Sequence, residues 1–364
     1  MTRFLSRIKR CLQRRSGKSS NPPSTAGLLT LTLAVIAVGV VLISTLPQPS
    51  APGVVIAIRV LDAQATSGPN SSLNVTLKVE NVGNVGTSLS ARVESGGLSP
   101  TSSSFNPSTI IPGGVADASI SVGGVAKFNG RSSFVVVKNS TGLNYSNFSV
   151  ETTFQYAALS PDKQMLFGKG AGGASGFFFY TFRSVNNIND FAITSDGQRA
   201  DFQLGNRFQV GQWYDLTYSV GSSLVTAYVN GVEVQQWPRQ GIRNLTNSDP
   251  VVVGNCSCGG YFFNGSVSML RYYSTALSSS QVLQNYLHPS DPVTENLQLW
   301  LEFSKWSGGT IQDLSGHNRG GEPFGGVSLI PVLAPGSNLL LEILATNVTG
   351  TVFVCGISLP VPLS

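Results

Sequence analysis

Charge is scarce in this chain: Asp, Glu, Lys and Arg make up only 11% of its 364 residues. Cysteine occurs four times and histidine twice. With His288 and His317 both near turns and no Cys-x-x-Cys pair, the residues that build zinc ribbons or dithiol redox centres are missing. Acids never fall close together: Asp291 and Glu295 are the nearest pair, four apart. No strand therefore carries two carboxylates at i and i+2, the simplest way to aim a general acid and base into one cleft. Neither a Ser/His/Asp constellation nor a phosphate-cradling loop is readable, and the glycines of 168–173 lead into a strand pattern.

Acids are absent altogether from residues 1–46, which hold seven bases: Arg3, Arg7, Lys9, Arg10, Arg14, Arg15 and Lys18. The remainder holds 16 basic and 18 acidic residues. The net charge of +5 thus belongs to a tail, and the body lacks the basic, aromatic-interleaved surface that nucleic-acid binding requires. Ala26–Leu46 is a run of 21 uncharged residues. As a helix it would span about 30 Å, one hydrocarbon thickness. Every tail charge precedes it, so a single-pass transmembrane helix with a cytoplasmic N-terminus and exported C-terminal domains is expected, in a cell membrane. Residues 47–53 form a Pro/Ser spacer.

From residue 54 onward the chain is rich in alternating apolar residues and turn signals, the pattern of an all-β protein. Over 54–122, Leu73, Val75, Leu77 and Val79 alternate with polar neighbours, and Gly/Asn/Pro turns separate short strands. This predicts a small sandwich. Further on, Trp213–Val220 and Leu224–Val229 alternate cleanly, and Asn230-Gly231 between apolar runs predicts a type I′ hairpin turn. Ser278 and Gln281 make a capping box ahead of Val282, Leu283, Tyr286 and Leu287, predicting one short helix ended by His288-Pro289.

The motifs Trp-Tyr-Asp-Leu-Thr-Tyr218, Ala-Tyr-Val-Asn-Gly-Val232, Phe-Asn-Gly265-Ser-Val, Arg-Tyr-Tyr-Ser-Thr-Ala-Leu277 and Gln-Val-Leu-Gln-Asn-Tyr286 resemble the laminin G-like, concanavalin A-like jelly-roll family. The resemblance covers roughly 125–287, and a jelly-roll over 123–326 is what it implies. Asn296–Phe303 and Ile311–Gly321 are similar to elements that often precede such a domain. Here they either close the jelly-roll or begin a truncated second copy. Residues 54–122, with Val79–Gly86 and Ile111–Gly114, resemble the Ig-like CARDB class. Residues 327–364 are apolar strands that must pack on a sandwich, of their own chain or of a neighbouring subunit.

The fold hosts binding modules, hydrolases and structural proteins, so candidate sites have to be argued from residues. Trp237, Tyr261, Phe262 and Trp306 lie near turns and are candidates for stacking on sugar, against the alternative that they plug the core. Asp190, Asp196 and Asp201 are candidate Ca²⁺ ligands, since many members of the resembled family bind that ion; turn capping is the alternative. The same pair of readings applies to Asp313 and Asn318. Of the exported cysteines, Cys355 is expected to pair with Cys256 or Cys258, with Cys258–Cys355 as the working assignment. Nine Asn-x-Ser/Thr sites lie after the apolar run: Asn70, Asn74, Asn139, Asn144, Asn147, Asn244, Asn255, Asn264 and Asn347. The reading that results is a membrane-anchored surface binding or adhesion protein, non-catalytic, recognising glycan or a surface protein. The alternatives are a self-associating structural subunit and a glycoside hydrolase.

Overall fold

The computed structural model describes residues 54–68, 72–93, 100–159, 163–170, 175–182, 188–195, 198–239, 244–256, 260–331 and 338–360. The expected membrane span at 26–46 lies outside them. Among the described residues no helix is long and apolar enough to cross a membrane.

In chain order the strands begin with β1 (Ile58–Ser67), β2 (Leu73–Asn81), β3 (Thr87–Val93), β4 (Pro100–Asn106), β5 (Thr109–Ile110) and β6 (Val115–Val122). They continue with β7 (Val125–Asn129), β8 (Phe134–Val137), β9 (Phe148–Tyr156), β10 (Lys163–Lys169), β11 (Gly176–Phe182), β12 (Ile188–Ser195) and β13 (Gln198–Gly205). Next come β14 (Trp213–Val220), β15 (Leu224–Val229), β16 (Val232–Pro238), β17 (Val251–Val253), β18 (Asn264–Tyr273) and the helix α1 (Ser279–Leu287). The chain closes with β19 (Leu297–Ser307), β20 (Thr310–Asp313), β21 (Gly321–Phe324), β22 (Ser328–Ile330), β23 (Asn338–Thr346) and β24 (Val352–Pro360).

Two sandwiches result. The small one has the sheet β1-β2-β6-β4 facing the sheet β24-β23-β3-β5. It is discontinuous in sequence, because the C-terminal hairpin β23–β24 supplies half of its second sheet, with Ile343 opposite Ala91. Val75, Val79, Ile120, Leu341, Ile343 and Cys355 meet in its core. Alternation made this hairpin a half-buried pair of strands, and pairing within the chain covers its apolar face. Trp213, the first residue of β14, also packs into this core and joins the two sandwiches.

The large sandwich follows one hydrogen-bonded path that folds on itself. Its front layer runs β13-β12-β11-β10-β17-β8-β21, and its back layer β19-β18-β9-β14-β15-β16. Phe177, Phe179 and Phe191 from the front meet Phe148, Phe154 and Tyr218 from the back in a core dominated by aromatic rings. Asn230 and Gly231 have φ of 52° and 75°, as the hairpin turn between β15 and β16 demands. A Cβ at Gly231 would also lie 2.7 Å from the Tyr286 ring. Strand β19 pairs with β18 and β21 pairs with β8, so residues 297–324 close the jelly-roll. α1 has the capping box at Ser278 and Gln281 and is capped at its C-terminus by His288.

Cys355 is buried in the small sandwich core. Cys256 is in a disulfide, and Cys258, the other half of the expected Cys258–Cys355 tie, lies outside the described residues.

Candidate functional site

Strand parity sorts the front layer. Phe177, Phe179, Phe191 and Phe202 point into the core, so Phe178, Tyr180, Asp190, Ala192 and Asp201 must point outward. The register agrees: Tyr180 lies opposite Asp190, and Ala192 opposite Asp201. Two of the acids considered as calcium ligands are thus brought together on the outer face; Asp196 lies outside the described residues.

The pair sits in an ionic cluster. The Tyr180 hydroxyl donates to Asp190 Oδ2 at 2.9 Å and reaches Asp201 Oδ1 at 3.4 Å. Arg199 lies 2.6 Å from Asp201 Oδ1 and 3.5 Å from Asp190 Oδ2. Its guanidinium stands 5.3 Å from the centre of the Tyr180 ring, and Lys163 Nζ stands 5.5 Å from the same ring. Lys163 is also 5.4 Å from the ring centre of Tyr261. Cations and aromatic rings therefore alternate across the face as Tyr261, Lys163, Tyr180, Arg199. Asp190 is 1% exposed and its Oδ1 has no hydrogen-bond partner. Burial, reinforced by the charge of Asp201, pushes the Asp190 carboxyl up to about 8.

Calcium does not fit this arrangement. The ion needs six to eight oxygens, whereas here Asp201 is already paired with Arg199 and burial favours the neutral form of Asp190. Among the described residues no cluster of three or more His, Cys, Asp or Glu can hold a metal. Asp313 is an Asx cap: its Oδ1 accepts from the backbone of Trp300 and Ser315, and its Oδ2 from Arg319 N–H. Asn318 takes a left-handed turn position, φ 57°.

The four aromatic candidates separate. Trp237 stacks on Tyr218 at 6.3 Å and meets Phe202 edge-on, so it closes one end of the core. Trp306 also packs against the core. Tyr261 and Phe262, in contrast, lie half-buried over the outer face of the front layer. Phe262 adjoins Phe134, which stacks at 5.1 Å on Phe324, itself 44% exposed. One face thus holds an aromatic ledge at β8 and β21 and an ionic cluster at β10–β13.

The nine Asn-x-Ser/Thr sites differ in access. Asn139, Asn147 and Asn244 are exposed, and Asn255 is buried. Asn74, Asn144, Asn264 and Asn347 are half-buried, and Asn70 lies outside the described residues. Asn144 Oδ1 accepts from Lys169, whose Nζ also bonds Asn247; burial lowers that lysine to about 8.

The outer face of the back layer holds a feature that sequence reading missed. Arg271, 0% exposed, donates to Glu151 Oε1 at 3.0 Å and to the Pro289 carbonyl, and lies 4.7 Å from the Trp300 ring centre. Asn285 of α1 donates to Glu151 Oε2 and to Tyr273 Oη. Asp215 and Glu302 are buried nearby; burial raises Asp215 well above the carboxylate range and Glu302 to about 7. The charges sit at outward parity, which reads as solvent-facing; α1 and the loop after it cover them.

Solved structures similar to this chain share it at low identity. A candidate carbohydrate-binding protein from Bacteroides ovatus is 13% identical with a TM-score of 0.45, over 75% of this chain and 94% of that one. A heptameric SAP-like pentraxin from Limulus polyphemus is 14% identical with a TM-score of 0.41, over 58% and 98%. Domain 4 of an extracellular arabinanase from Geobacillus stearothermophilus, in complex with arabinotriose, is 21% identical with a TM-score of 0.38, over 45% and 76%. No curated protein matches the sequence. Residues 129–283, which build most of the large sandwich, match the concanavalin A-like lectin/glucanases superfamily.

Proposed function

We propose that this chain is a surface glycan-binding protein whose large sandwich takes saccharide on the outer face of its front layer, without catalysis. The observation that carries this is the union, on one sheet face, of Tyr261 and Phe262 with Lys163, Arg199 and Asp201. Aromatic faces stack on the C–H face of a sugar ring, and a guanidinium beside a carboxylate supplies paired donors and acceptors to adjacent hydroxyls. The superfamily spans lectins and glucanases alike, so the match does not choose between binding and hydrolysis.

Geometry weighs against hydrolysis. Asp190 and Asp201 are within hydrogen-bonding reach of each other, closer than the roughly 5–9 Å that glycosidase carboxylates keep. Glu151, Asp215 and Glu302 are buried. Anchoring through Ala26–Leu46 and export of the sandwiches belong to the same proposal, on the charge asymmetry of the sequence. Asn139, Asn147 and Asn244 are the acceptors best placed for glycosylation. The C-terminal strands are already paired in their own chain, which favours a monomeric binder over a strand-donating structural subunit.

A glycan array probed with the full-length chain and its Arg199→Ala variant tests this reading. Saturable binding that the variant loses supports it. Hydrolysis of any arrayed glycan, or binding indifferent to Arg199, counts against it.

A further inference from the structure

A cleft of about 850 Å³ lies between the two sandwiches, a volume within the range of small-molecule sites. One wall is the small sandwich, presenting Ser88 and Ser90 from β3 and Ser103 and Phe105 from β4. The other is the loop after α1, presenting His288, Ser290 and Asp291. The hydroxyls of Ser103 and Ser290 face each other at 3.5 Å. The Ser90 hydroxyl is buried with no hydrogen-bond partner, although buried polar groups are nearly always satisfied.

The second wall is held firmly. Arg271, fixed by Glu151, donates to the Pro289 carbonyl, and Asp291 N–H returns to the His288 carbonyl at 2.9 Å. Burial lowers His288 below its ordinary value, so its ring is neutral at pH 7. No lysine or arginine lines the cleft among the described residues. Hydroxyls with one carboxyl group, Asp291, and no cation match a ligand that brings its own hydroxyls and no negative charge, and half-buried Phe105 adds an aromatic face.

We infer that this cleft is a second saccharide site, taking a neutral oligosaccharide laid between the two sandwiches. It shares no residue with the charged face of the front layer, so either site can fail without the other.

The test is saturation-transfer NMR on the full-length chain with neutral hexasaccharides of glucose, mannose and galactose. The expected result is binding of at least one. Phe105→Ala should weaken it by about tenfold, the loss of one good contact. Ser104→Trp, which fills the cleft from an exposed position, should abolish it, while Arg199→Ala leaves it unchanged. Should Phe105→Ala fold poorly, Ser104→Trp decides. The inference is overturned if none of the three hexasaccharides binds while the array shows binding at the charged face. It is equally overturned if hexasaccharide binding survives Ser104→Trp and disappears with Arg199→Ala.

Discussion

Among its single residues, this molecule buries carboxyl groups that prefer to be neutral. Asp190 is raised to about 8 and Glu302 to about 7, each by burial first. A carboxyl raised in the folded state binds its proton more tightly there than in the unfolded chain. Folding is then most favoured at low pH, and stability is lost as pH climbs from the ordinary carboxylate value through the folded one. Melting temperature should therefore fall between pH 5 and pH 9, with Asp215 acting in the same direction. Asp190→Asn should flatten the upper part of that fall and Glu302→Gln the part centred near neutrality. Calorimetry across that range checks both; a wild-type melting temperature that rises toward pH 9 contradicts the assignment.

Individual side chains are also where sequence reading was weakest. Spacing showed that no two acids share a strand face, yet Asp190 and Asp201 meet because β12 and β13 are neighbours in register. Adjacency between strands is a property of the sheet, and no local pattern encodes it. Trp237 and Tyr261 looked alike as aromatics near turns; only the side of the layer each one occupies separates them. Arg271 and Glu151 stand at outward parity in their strands, and what buries them is a helix only 9 residues long, whose Asn285 donates to Glu151.

Within strands and turns, local chemistry was legible. The β14–β15–β16 meander, its Asn-Gly turn and the capping box of α1 form as their residues dictate. Gly231→Ala should cost at least about 1 kcal/mol, since a left-handed conformation is strained for any residue with a Cβ and here the Cβ would meet Tyr286. Arg271 is the pin between β18, β9 and the loop after α1. Its loss leaves Glu151 buried without its partner, so Arg271→Met should destabilise by about 3–5 kcal/mol. Pairing it with Glu151→Leu should recover a large share of that. Urea denaturation of the two single variants and the double variant measures the coupling; additive losses would mean that the buried pair is not a unit.

The molecule as a whole carries the least legible feature. The small sandwich begins at residue 58 and is finished by β23 and β24, more than two hundred residues later. Composition required that the apolar C-terminal strands be covered, but which sandwich receives them is decided by the pairing of β23 with β3. Truncation after residue 331 should leave β3 with an open edge and the Val75–Ile120 core uncovered, giving an aggregating product. Size-exclusion chromatography of that truncation checks this; a monodisperse monomer would contradict the shared sandwich.

Saccharide recognition is assigned to the outer face of the front layer, and hydrogen–deuterium exchange of the full-length chain with its best array glycan probes that face strand by strand. Saturating glycan should slow exchange in peptides covering Gly176–Phe182 and Gln198–Gly205, and Arg199→Ala should remove that protection. Protection confined to other strands, or unchanged exchange across these two segments at saturation, would contradict the assignment.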